Sequence, residues 1–158
     1  MLTILPLLLF GLGLSFLLGG SDDDDTAATN EQIGTDGDDQ IIGFENRDDV
    51  LAGGAGSDAL EGRTGNDSYM FGLGDGADSA RDTGGVDKVV FGAGLGRGDV
   101  TFTEIADDLL VTLTASGETL VILQGASSDA ASWIESFEFE SGESLSLNDV
   151  RLQIRLAR

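Results

Sequence analysis

The chain has 158 residues, 8 basic and 29 acidic, giving a formal charge of −21. It has no cysteine and no histidine. That removes disulfides, thiolate nucleophiles, zinc–thiolate centres and histidine-based acid–base catalysis. So anionic a chain argues against nucleic acid as a partner and suits hard cations bound through oxygen.

Leu2 to Gly20 carries no charge and is followed at once by Asp22, Asp23, Asp24 and Asp25. Its length is near that needed to cross a bilayer core, so residues 1–20 read as an apolar helix serving as a signal or membrane anchor. Membrane contact is expected through residues 2–20, with the rest of the chain secreted or held at a surface. Residues 21–33 read as an acidic linker, because a run of like charge repels itself and buries no apolar surface.

A nine-residue period follows. The segments GTDGDDQII (34–42), FENRDDVLA (44–52), GGAGSDALE (53–61) and GRTGNDSYM (62–70) superpose, as do LGDGADSAR (73–81) and a degenerate copy centred on GGVDKVV (84–90). The sixth position is always aspartate: Asp39, Asp49, Asp58, Asp67, Asp78 and Asp87. Two places later come Ile41, Leu51, Leu60, Tyr69, Ala80 and Val89. Glycines allow a tight turn, aspartate ends it, and three residues form a short strand with the middle side chain inward. Each unit is then half a coil of a flattened solenoid, and turns two apart stack. One side presents Asp39, Asp58 and Asp78, and the other Asp49, Asp67 and Asp87. Stacked carboxylates repel, and a calcium ion, which takes six to eight oxygens including backbone carbonyls, removes the repulsion.

GGAGSDALE and GRTGNDSYM resemble the repeat GGxGxDxUx of RTX (repeats-in-toxin, haemolysin-type) calcium-binding proteins. The resemblance implies a parallel β-roll with calcium between turns, bound by the sixth-position aspartates and by turn carbonyls. On matching positions the ligands are Asp39, Asp49, Asp58, Asp67, Asp78 and Asp87. They are joined by the turns of Gly34, Asp36 and Asp38, of Gly53, Ala55 and Ser57, and of Gly62, Thr64 and Asn66. The second copy departs, with Phe44, Glu45 and Arg47 where the family has glycine. Arg47 there can substitute its own charge for part of an ion. In the fifth copy Ala80 replaces a larger apolar residue, which weakens the core.

Residues 99–113 and 118–123 alternate as strands, joined by Ala115, Ser116 and Gly117. A solenoid leaves an apolar end, and this half reads as its cap. Trp133, Ile134, Phe137 and Phe139 are expected in the core. Ser146 is placed to start a short terminal helix, with Arg151, Arg155 and Arg158 on a solvated face. The likeness to RTX proteins continues, more loosely, through residues 69–95, 107–113 and 133–150.

Lys88 is the only lysine and lies in no phosphate loop. Gly72, Gly74 and Ala77 match the dinucleotide spacing but fall inside the repeats, and no EF-hand loop or G-x-S-x-G elbow occurs. The expected fold is all-β: a parallel β-roll over 34–92 and a β-rich capping region over 93–158 with a short C-terminal helix. The expected function is non-enzymatic calcium binding coupled to folding. The alternatives are a membrane-tethered adhesion module and a targeting fragment of a secreted enzyme.

Overall fold

The computed structural model describes residues 30–126 and 134–157. Two six-stranded sheets face each other. The first runs β1 (Asn30–Ile33), β3 (Asp49–Ala52), β5 (Ser68–Phe71), β7 (Lys88–Phe91), β11 (Ser136–Glu138) and β12 (Ser144–Ser146). The second runs β2 (Gln40–Ile42), β4 (Ala59–Thr64), β6 (Ala77–Gly84), β10 (Thr119–Ile122), β9 (Asp108–Leu113) and β8 (Val100–Ile105). The repeats thus send consecutive strands to opposite sheets, and strands two apart pair in parallel. This is a parallel β-solenoid of about three coils.

Period-two alternation sets the interior. Leu51, Tyr69 and Val89 point inward from the first sheet and Ile41, Leu60 and Ala80 from the second, all buried. Ala80 is fully buried, and the Tyr69 hydroxyl reaches across to Arg81, the next residue, so a large side chain crosses the roll beside the small one. Coils approach so closely that some turn positions accept only glycine. Gly65 (φ 137°) and Gly85 (φ 150°) are left-handed, and a Cβ on either would run into the backbone carbonyl of Arg47 or of Gly65.

The capping half continues both sheets. β10 extends the second sheet in parallel to β6, then β9 and β8 add antiparallel strands. β11 pairs in parallel with β7, and β12 closes the first sheet antiparallel. Ile134, Phe137 and Phe139 are buried as expected, while Trp133 lies outside the described residues. Phe139 stacks on Phe91 at 4.8 Å between ring centroids, and Phe102 meets Phe137 edge-on at 4.9 Å. Helix α1 (Leu147–Leu156) starts at Ser146, whose hydroxyl accepts the Asp149 N–H while Asp149 accepts the Ser146 N–H. It buries Leu147, Val150 and Ile154.

Three details differ from the sequence reading. The acidic linker expected through residue 33 ends sooner, since Asn30–Ile33 is strand β1, pairing in register with β3. The alternation over 99–113 is two strands, because Ala106 turns left-handed at φ 55° and folds β9 back on β8. The basic face of α1 is not wholly solvated: Arg151 is half-buried and donates to the Gly125 carbonyl at 3.4 Å. Arg155 is exposed, and Arg158 lies outside the described residues. Among the described residues no helix is long and apolar enough to cross a membrane; residues 1–20 fall outside them.

Candidate metal centre

The turns and the strand starts that follow them carry the aspartates in two files, one on each side of the roll. On one side the Asp39 N–H donates to Asp58 Oδ1 at 2.7 Å and the Asp58 N–H to Asp78 Oδ1 at 2.9 Å. On the other, the Asp49 N–H donates to Asp67 Oδ1 and the Asp67 N–H to Asp87 Oδ1, both at 2.8 Å. The carboxylates of Asp58, Asp67, Asp78 and Asp87 are therefore each fixed from the preceding coil through Oδ1. The Asp87 N–H ends its file on Glu135 Oε2 of the capping half at 2.7 Å. Asp49, Asp58, Asp67, Asp78 and Asp87 are all buried.

The second carboxylate oxygens are left over. Asp58 Oδ2, Asp67 Oδ2 and Asp87 Oδ2 are buried and have no hydrogen-bond partner, and neither has Asp49 Oδ1 at the first rung. A buried oxygen without a donor is costly, and an ionised one more so. Burial accordingly pushes the Asp67 carboxyl up to about 7, with Asp82 and Asp49 adding repulsion. Burial likewise raises Asp78 to about 6, with Asp58 and Asp75 adding to it. Asp87 is raised by the same burial, then by Asp82 and Asp67. Asp39, at the outermost rung, goes the other way because the Thr35 N–H and hydroxyl donate to its Oδ2 at 2.6 and 2.8 Å.

On the Asp67 side a third buried carboxylate joins the file. Asp82, Asp67 and Asp87 each offer an oxygen, and these oxygens lie within 4.8 Å of one another. The Tyr69 hydroxyl accepts the Gly62 N–H at 2.9 Å, and its single proton is shared between Asp82 Oδ2 at 2.7 Å and the Arg81 carbonyl at 2.8 Å. Asp82 Oδ1 accepts the Gly84 N–H at 2.7 Å. Gly62 is what leaves room. A Cβ there would stand 2.5 Å from both Asp67 Oδ2 and Asp82 Oδ2 and closer still to the phenol. The arrangement is an all-oxygen pocket with excess negative charge and unpaired lone pairs, the donor set a hard cation takes. These residues fit such an ion.

The predicted ligands fall in distinct places. The six sixth-position aspartates form the two files, as their spacing implied, with Asp39 only half-buried. The turn residues Asp38 and Asn66 build an outer ladder, joined by Asp48. The Ser57 N–H donates to Asp38 Oδ1 at 3.0 Å, the Asn66 N–H to Asp48 Oδ1 at 2.8 Å, and the Val86 N–H to Asn66 Oδ1 at 3.0 Å. The Thr64 carbonyl accepts the Arg47 N–H at 3.2 Å, and the Thr64 hydroxyl bridges the Asn46 N–H and Glu45. The Gly53 carbonyl packs against Gly34, and Gly53 in turn makes space for the Asp58 carboxylate. The side chain of Asp36 is exposed, and Ala55 is half-buried. Arg47 does not substitute for an ion at Asp49. Its guanidinium lies 5.7 Å from the centroid of the Phe44 ring, while Asp49 Oδ2 accepts the Phe44 N–H at 2.7 Å.

Asp82 escaped the sequence reading because it occupies the first place of a degenerate copy, where glycine belongs. The signal was present in β6, where Asp78, Ala80 and Asp82 alternate onto the buried face. No known protein-family model matches this chain, and no curated protein matches it.

Proposed function

We propose that this chain is a non-enzymatic, secreted or surface-held calcium-binding protein of RTX type, whose roll folds on binding the metal. One observation carries the reading: in the files of buried aspartates, Asp58, Asp67 and Asp87 use one oxygen to tie coils together and leave the other without a partner. Without a cation these carboxylates must stay protonated or repel one another. Calcium accepts several carboxylate and carbonyl oxygens in irregular geometry, which glycine turns supply better than rigid octahedral shells do. The lack of histidine and cysteine disfavours zinc and other softer ions. Metal binding then contributes directly to folding, since the unfolded chain holds no preformed site.

Circular dichroism of the purified chain during a calcium titration tests this. A cooperative gain of β signal, reversed by EDTA, is the expected result. An identical β signal and melting point in EDTA and in excess calcium would refute it.

A further inference from the structure

We propose that Asp67, Asp82 and Asp87 form a distinct three-carboxylate calcium site, the tightest of the roll, and that Tyr69 positions Asp82 within it. The inference rests on the calcium reading above. It goes beyond the repeat pattern, because Asp82 stands where that pattern calls for glycine.

Geometry separates this place from the other rungs. Elsewhere in the files a coil contributes one buried aspartate per side, whereas here the oxygens of three converge within 4.8 Å. Asp67 is fully buried and Asp87 is 1% exposed, and the Oδ2 atoms of both lack any partner. Asp67 Oδ2 and Asp82 Oδ2 crowd the same point above Gly62, each 2.5 Å from where a Cβ would be. Asp82 Oδ2 and the orphaned, buried Asp67 Oδ2 thus face one small volume, with an Asp87 oxygen within 4.8 Å of the group. Affinity for calcium rises with the number of ligand charges and the rigidity of their placement. Asp67 and Asp87 are fixed by the ladder bonds through Oδ1, and Asp82 by the Gly84 N–H and the Tyr69 hydroxyl. Such outer partners commonly change metal affinity 10–100-fold.

Tyr69 is the sole tyrosine and Trp133 the sole tryptophan of the chain. In the full-length chain carrying Trp133→Phe, tyrosine-sensitised terbium luminescence therefore reports on a cation beside Tyr69. Terbium should give sensitised emission at the lowest concentrations that bind, and calcium should displace it. Asp82→Asn should weaken the sensitised site at least ~10-fold, whereas Asp107→Asn, an exposed carboxylate of the capping half outside both files, should leave it unchanged. Tyr69→Phe should abolish the emission and weaken the tightest calcium event in calorimetry. That second effect separates positioning from mere proximity.

Calcium-dependent folding without any tyrosine-sensitised emission would overturn the inference and leave the calcium reading standing. So would an Asp82→Asn titration superposing on that of the parent. If Asp82→Asn fails to fold, sensitised emission from the parent chain that appears only after calcium-induced folding is complete would overturn it equally. No response to calcium or terbium by luminescence or circular dichroism would sink both.

Discussion

Replacing Gly62 by alanine probes the three-oxygen cradle with a single methyl group. The backbone at Gly62 is not left-handed, so the substitution acts through space and not through φ. The new Cβ would lie 2.5 Å from Asp67 Oδ2 and Asp82 Oδ2 and against the Tyr69 hydroxyl, well inside van der Waals contact. Overpacking of this kind costs ~1–3 kcal/mol, partly offset by ~0.4–1 kcal/mol from the stiffer unfolded chain. A net loss of about 1–2 kcal/mol is expected. Gly98 supplies the control, since a Cβ there meets nothing within 4 Å and its φ is also not left-handed. Gly98→Ala should then be neutral or gain up to ~1 kcal/mol. The two variants should differ by about 2 kcal/mol, or roughly 6–10 °C in melting temperature for a domain of this size. Thermal unfolding by circular dichroism at saturating calcium measures this. A Gly62→Ala protein as stable as Gly98→Ala, with unchanged calcium affinity, would refute the idea that these oxygens converge over Gly62.

Raised carboxyl values fix the direction of the pH dependence. Asp67 rises from 3.8 to about 7 and Asp78 to about 6, so between these limits the folded, calcium-free chain holds more protons than the unfolded one. Its stability should be fullest near pH 3.8 and fall as pH rises through 6 and 7, and melting curves in EDTA that rise instead would contradict the assignment. Calcium binding should release protons over the same interval, detectable as buffer-dependent heats in calorimetry. Asp58→Ala should weaken calcium binding at least ~10-fold, whereas Asp36→Ala, which removes an exposed side chain and keeps its carbonyl, should change stability by less than ~0.5 kcal/mol. Equal calorimetric effects of the two would count against the buried files. Ser146→Ala should cost ~1 kcal/mol through the lost α1 cap, measured by denaturant unfolding, without altering the metal response.

The alternation of turns between two sides of the roll was legible because a nine-residue unit holds one glycine bend and one three-residue strand. The aspartate register followed from it. What the spacing did not reveal is that each aspartate is also a hydrogen-bond acceptor for the coil before it, since that depends on which oxygen points where. The outer ladder of Asp38, Asp48 and Asn66 was hidden for the same reason: three residue types perform one job at one place in the repeat. Asp82 was lost by masquerading as a degenerate glycine. The hairpin at Ala106 gave no glycine or asparagine to mark its left-handed residue, and the pairing of Asn30–Ile33 is a tertiary contact that a polar composition conceals.

The two ladders of the roll are oriented oppositely. The inner one donates an amide from the earlier coil to the later, and the outer one from the later to the earlier, always across 18 to 20 residues. Every coil is thereby locked to its neighbours in both directions. Duplication can lengthen such a molecule, and deletion shorten it, most readily in whole coils. The rungs already absorb one or two residues, from 18 to 20 per coil. A larger insertion within a turn throws both sets out of phase, so natural length variants are expected chiefly to change copy number.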